Sequence, residues 1–362
     1  MKIVFCGLAI TSSWGNGHAT NYRALVRELG RRGHEVLFCE RDVPWYAEHR
    51  DLPEPPGGRT SLYSSLDELT ERHSEDVAAA DLVIVGSYVP EGIAVAEWVL
   101  ENAGGATAFY DIDTPVTLGK LRRGESEYLS SELVGRFDLY LSFTGGPTLE
   151  VLEDEFGARR AIAFYCLVDP QAYRPMEARR DWDLGYLGTY SDDRQPALER
   201  MLIEAARQSN KGAFKGAFKG AFVVAGPQYP EGIEWPPNVE RIEHVAQTEH
   251  PSFYSGQRFS LNITRGEMRA AGWSPSVRLF EASACGVPVI SDWWEGLDEI
   301  FTPDEEILIA DSAEDVLDYL FQVRESARRE MAEAARKRVL AEHTAERRCE
   351  RLEQEVAVVA AG

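Results

Sequence analysis

Residues 274 to 299, SPSVRLFEASACGVPVISDWWEGLDE, constrain the fold more than any other stretch, because a helix, a left-handed turn and a buried strand must follow one another within them. Ser274 or Ser276 is placed to cap the helix, a side-chain oxygen accepting from backbone N–H groups that have no partner in the first turn. Val277, Leu279, Phe280 and Ala284 give the helix a mostly apolar body. It must end at Gly286, which lacks Cβ and turns left-handed at little cost, and Pro288 keeps it from resuming. VPVIS then reads as a short β-branched strand buried on both faces, as in a parallel sheet covered by helices. Unpaired N–H groups and the positive dipole at the start of such a helix form a natural anion site, with phosphate the obvious occupant.

The rest of the chain repeats this alternation. KIVFCGL (2 to 8) predicts a first strand, a helix follows from about Asn21 to Arg32, and EVLFCE gives a second strand, a βαβ opening. The intervening loop does not fit the G-x-G-x-x-G dinucleotide pattern, although Glu40 ends the second strand, so nicotinamide binding remains the weaker alternative. Residues 44 to 62 hold several Pro and Gly and read as loop. ADLVIVGSYV (80 to 89), ATAFYDID (106 to 113), FDLYLSFTGG (137 to 146) and RRAIAFYCLVD supply further strands with helices between them. PQAYRPMEARRDW (170 to 182) lacks periodicity and reads as a linker. DLGYLGTYSDDR then opens a second series, with later strands in VERIEHV (239 to 245), FSLNITR and EEILIADS, and two charged helices at the end. The pattern predicts an α/β fold with Rossmann-like domains over 1–170 and 183–340 and a closing helix over 341–362. KGAFKGAFKGAF (211 to 222) repeats every four residues, far below any solenoid period, and reads as an expanded loop without function.

Charge excludes some partners. Sixty acidic against 38 basic side chains give a formal charge of −22, which repels a nucleic-acid backbone and an anionic membrane surface. An anionic ligand therefore needs a local field against the global one, and Arg265, Arg269 and Arg278 are placed to provide it. Five scattered cysteines without a Cys-x-x-Cys pair predict reduced thiols and a cytoplasmic protein. MKIVFCGLAI enters a folded strand directly, which predicts no signal peptide, and no apolar run reaches membrane-spanning length.

FEASACGVPVISD resembles the donor-site segment of GT-B glycosyltransferases, and with WGNGHATNYRALVRELGRRGHEV the chain is similar to the CgeB-like group, named after a spore-maturation protein. The resemblance implies two Rossmann-like domains facing across a cleft and transfer of a sugar from a nucleotide diphosphate-sugar to an acceptor hydroxyl. It implies the nucleotide-sugar as co-substrate, with no cofactor and no metal. In retaining relatives two glutamates with seven residues between them form a pair, the second holding the nucleotide ribose. Glu281 matches the second, while Trp273 occupies the place of the first. Glu281 reads either as this ribose ligand or as a buried helix carboxylate paired with Arg278. A His beside the first helix deprotonates the acceptor in inverting relatives, so His18 reads as base or acceptor contact, or else as a loop cap. Asp111 and Asp113 end a strand where open α/β sheets place ligands. Asp113 reads as an acceptor or sugar contact, as a metal ligand, or as a cap beside Thr114-Pro115. Gly188 and Thr189 form the first turn of the second domain, which approaches the donor diphosphate in similar enzymes, with Arg194 nearby. His244 or Val245 lies where the base docks. Arg265 reads as a diphosphate clamp or as a solvated arginine pairing with Glu267. Two rival functions fit the same residues: a binding protein without turnover, and a sugar-nucleotide epimerase.

Overall fold

The computed structural model describes residues 1–15, 17–209 and 220–361. The KGAF repeat, through residue 219, lies outside the described residues. The chain divides into two compact units, Met1–Leu167 with Ala345–Gly362, and Val168–Thr344.

In the first unit β1 (Lys2–Gly7), β2 (Glu35–Arg41), β3 (Arg59–Tyr63), β4 (Leu82–Gly86), β5 (Ala106–Asp111), β6 (Leu139–Ser142) and β7 (Ala161–Ala163) form one sheet in the order β3-β2-β1-β4-β5-β6-β7. All pairings are parallel. Helices cover both faces, so β1 and β4 are buried almost throughout and read as continuous apolar runs. β3 departs from the loop expected over 44–62, as does a short helix, Pro44–Ala47. The strand sits at the sheet edge, where only Ser61 and Tyr63 are buried, and so carries no apolar run to mark it. The first helix, His18–Arg31, begins three residues earlier than periodicity indicates and makes His18 its first residue.

The final helix, Ala345–Ala361, belongs to this unit. Arg32 forks onto Glu353 at 2.8 and 2.6 Å. Buried Glu355 pairs with Arg160 and, at 2.7 Å, with Arg351.

In the second unit β8 (Trp182–Leu187), β9 (Phe222–Ala225), β10 (Val239–Ile242), β11 (Gln257–Asn262), β12 (Val289–Ser291) and β13 (Ile307–Ile309) form a parallel sheet in the order β10-β9-β8-β11-β12-β13. Both sheets thus reverse their winding once, between β1 and β4 and between β8 and β11. At such a point the crossover helices leave on opposite faces and a crevice opens beyond the strand ends. The helix Val277–Ala284 ends as its glycine requires, with Gly286 at φ 72°. Its start corrects the expectation of a serine cap. Ser276 occupies the cap position but makes no capping bond, because its hydroxyl donates to Asn262 Oδ1 at 2.6 Å. Ser274 lies buried two residues before it.

Candidate active site

In the second unit the winding reversal is bridged by one side chain. Arg278, buried on the helix Val277–Ala284, donates from Nε to the Leu187 carbonyl at the end of β8 (2.6 Å) and from Nη1 to Asn262 Oδ1 at the end of β11 (2.7 Å). Its guanidinium lies over the Tyr186 ring, 4.7 Å from the centroid. Two glycines allow this packing. A Cβ at Gly188 would come within 2.9 Å of Arg278 Nη2, and one at Gly226, where φ is 139°, within 2.0 Å of the Gly188 carbonyl oxygen. The close backbone approach leaves no room for other residues.

Further guanidinia gather at this edge. Arg194 donates to the Thr189 carbonyl at 2.8 Å, and its Nε is buried without a partner among the described residues. Arg241 stacks over Tyr229 and Trp235 and donates to the Gly226 carbonyl at 3.0 Å. Burial pushes the Tyr229 hydroxyl above the usual phenol range, while the fields of Arg241, Arg194 and Arg278 pull the other way. Arg265 is half-buried just past β11, at the cap position of the short helix Gly266–Ala271. Its charge and that of Arg194 act on Asp193, whose carboxylate is lowered despite partial burial by bonds from Ser191 and the Gly266 N–H. His244 lies half-buried two residues beyond β10, which ends sooner than its sequence pattern indicates.

Glu281 takes a different setting. It is 3% exposed, accepts from Tyr254 Oη at 3.0 Å, and stands 3.8 Å from His250 Nδ1. Burial pushes its carboxyl up to about 7, with bonds from Tyr173 and Tyr254 and the Arg278 charge opposing. Tyrosine hydroxyls therefore occupy the atoms that a ribose contact would use. Trp273 adopts φ 42°, unusual for a bulky residue, and its indole lies where a Cβ on Gly296 would be, 2.4 Å away. Backbone strain of this kind costs about 1–3 kcal/mol and persists where surrounding structure enforces it.

The first unit presents other chemistry at its strand ends. Glu40 accepts from the Ile10 and Thr11 N–H groups (2.7 and 2.9 Å) and the Thr11 hydroxyl. It pins the loop after β1 and leaves the dinucleotide alternative without its acidic residue. Asp111 is fully buried and accepts from Tyr140 (2.6 Å) and Thr117 (2.8 Å), and burial raises its carboxyl to about 6. Asp113 bonds elsewhere, accepting from Tyr88 Oη at 2.9 Å. The Tyr88 ring is 6.0 Å from that of His18, and Lys120 Nζ lies 5.6 Å from the same ring. Tyr88 thus joins the two residues singled out from sequence. It sits just past β4 at φ 63°, a strained value for a non-glycine residue. Burial and the Asp113 charge hold its phenol well above the ordinary range. Sequence offered no sign of it beyond its position after a strand.

Among the described residues no group of three or more His, Cys, Asp or Glu is arranged to hold a metal, and no helix is long and apolar enough to cross a membrane. The five cysteines are free and buried.

Residues 194–354 match a family model described as glycosyl transferase-like. No curated protein matches in sequence. Among solved structures, sucrose-phosphate synthase from Thermosynechococcus elongatus is similar at TM-score 0.70 and 14% identity, over 100% of both chains. Anabaena HepE in complex with UDP and glucose is similar at TM-score 0.69 and 12% identity, over 99% of this chain and 100% of its own. An alpha-glucosyltransferase in complex with UDP-glucose and abasic-site DNA gives TM-score 0.69 and 14% identity, over 98% of each chain. The chain thus has the GT-B fold, and its residues 194–354 match the glycosyl transferase-like family model.

Proposed function

We propose that the chain moves a hexose from a nucleotide diphosphate-sugar to an acceptor hydroxyl, without a metal. The observation that carries this reading is the set of guanidinia at the reversal point of the second sheet, in a molecule whose formal charge is −22. Arg278 crosses that point, and the unpartnered Nε of Arg194 stands beside it. A diphosphate gains charge as its bond to the sugar breaks, and fixed cations there lower the barrier. In this reading Arg265 and the helix start at Ser274 to Ser276 grip the phosphates, the tight backbone at Gly188 and Thr189 lets them approach, and His244 lines the base. Glu281 receives the ribose once a tyrosine hydroxyl yields. His18 takes the acceptor proton, with Asp113 fixing the geometry. The CgeB-like segment supports a place in that subgroup, and the free thiols support a cytoplasmic setting. Although the alpha-glucosyltransferase neighbour carries DNA, the charge of this chain favours an acceptor that is not a nucleic acid.

Calorimetric titration with UDP, ADP and GDP against their nucleosides, followed by assay of nucleoside diphosphate release from the matching sugars, tests the reading. At least one diphosphate should bind more tightly than its nucleoside and be released in the presence of acceptor. If none out-binds its nucleoside, the phosphate site does not exist. Trp273, at a position where retaining relatives carry a carboxylate, favours a second reading, a binder without turnover; tight diphosphate binding with no release from any donor would select it.

A further inference from the structure

The loops after β1 and β2 in the first unit carry an aromatic group that the transfer reading does not use. Trp14 and His49 stack with ring centroids 4.4 Å apart at 16°, and Trp45 lies 6.1 Å from His49. Trp45 is 50% exposed, on the short helix Pro44–Ala47. Beside the stacked Trp14–His49 pair its indole adds to an aromatic cluster whose flat apolar area a ligand can cover.

These rings are held in place by a network of polar bonds. Arg23, 5% exposed, forks onto Asp51 at 3.0 and 2.8 Å and donates from Nε to the Ile10 carbonyl. Asp51 also accepts from the Ser13 N–H and hydroxyl. Burial opposes its ionisation, yet the Arg23 and Ser13 bonds bring its carboxyl down to about 2. The Ser12 hydroxyl donates to the His49 carbonyl at 2.7 Å, and the Trp45 carbonyl meets His49 Nδ1 at 3.0 Å. The two loops are thereby tied to each other and to the first helix, so the ring faces are set before any ligand arrives.

We propose that Trp14, His49 and Trp45 form a ledge for a neutral pyranose ring of the acceptor, so that the acceptor is itself a carbohydrate. The proposal rests on the transfer reading above. Flat aromatic faces match the C–H face of a pyranose, whose hydroxyls then turn toward polar groups at the rim. Asp42 and Asp51 are paired with Arg50 and Arg23, while Glu48 and Glu54 flank the ledge in sequence and their charge disfavours a phosphorylated or acidic ligand. The ledge also occupies the carboxyl ends of parallel strands, and Trp14 lies on the loop that leads into His18.

Saturation-transfer NMR on the full chain, with cellobiose and maltose as probes and glycerol as a non-cyclic control, tests it. One disaccharide should show transfer to its C–H protons. W45A and W14A should each weaken that binding at least about tenfold, W45F should restore most of it, and UDP affinity should stay as in the parent. Equal disaccharide binding by W45A, W14A and the parent would overturn the proposal. So would UDP binding by a parent that binds neither disaccharide, which leaves the transfer reading standing. Loss of UDP binding in the parent itself would instead remove that reading while leaving the sugar result to be judged alone.

Discussion

The two units share one winding order and place opposite chemistry at the same topological point. At the end of β8 and β11 stand Arg278, Arg194 and Arg265; beyond the ends of β1, β4 and β5 stand His18, Tyr88 and Asp113. A parallel sheet supplies the crevice in both cases, but the side chains that line it decide whether it suits an anion or a proton transfer. Each edge also has a buried carboxyl raised by desolvation, Asp111 at about 6 and Glu281 at about 7. That shared feature makes the difference above it more telling, since burial alone does not distinguish the two.

Substitutions at one edge should leave the function of the other untouched, and this is where the comparison can break. His18→Ala should cut kcat about 100-fold or more, the range of general acid–base assistance, while UDP affinity stays constant. An equal loss in UDP affinity would merge the two roles. Glu281 gives a test by stability. Its folded carboxyl titrates near 7 against an ordinary value near 4.5, so below about 4.5 both states are protonated and the stabilisation is complete. As pH rises from there to 7 the unfolded chain ionises first and stability falls by about 3 kcal/mol, then levels. Urea denaturation of Glu281→Gln across this window should lack that decline; an unchanged slope would mean the carboxyl titrates normally. Arg265→Ala should raise the UDP dissociation constant about 10- to 100-fold and leave uridine binding unaltered, as expected for charged hydrogen bonds to phosphate. Equal losses for both ligands would point to a structural role. The smallest effect should come from Tyr88→Phe, which keeps the ring beside His18 and removes the hydroxyl that bonds Asp113 and Tyr128. About a tenfold fall in kcat, with KM for the donor constant, would sharpen the contrast between the edges.

How far the sequence could be read depended on what each residue's role requires. β1, β4 and β12 were visible because strands buried on both faces must be apolar throughout. β3 was not, since an edge strand of five residues with two buried positions resembles a loop. His18 and Asp113 lie at ends of elements, where position along the chain is informative. Tyr88 matters through a left-handed backbone and a neighbour 25 residues away, neither of which has a local signature. Ser276 followed the rule for helix caps in its backbone, yet Asn262, distant in sequence, took its hydroxyl. Arg241 was missed for a related reason: its partners Tyr229 and Trp235 precede it on a loop without periodicity.

The closing helix, Ala345–Ala361, has a bearing on how the molecule is made. Because Glu353 and Glu355 supply partners to Arg32 and Arg160, the first unit lacks part of its packing until Ala345–Ala361 has been synthesised. Its folding during translation therefore lags that of Val168–Thr344, which has all its residues once Thr344 clears the exit tunnel.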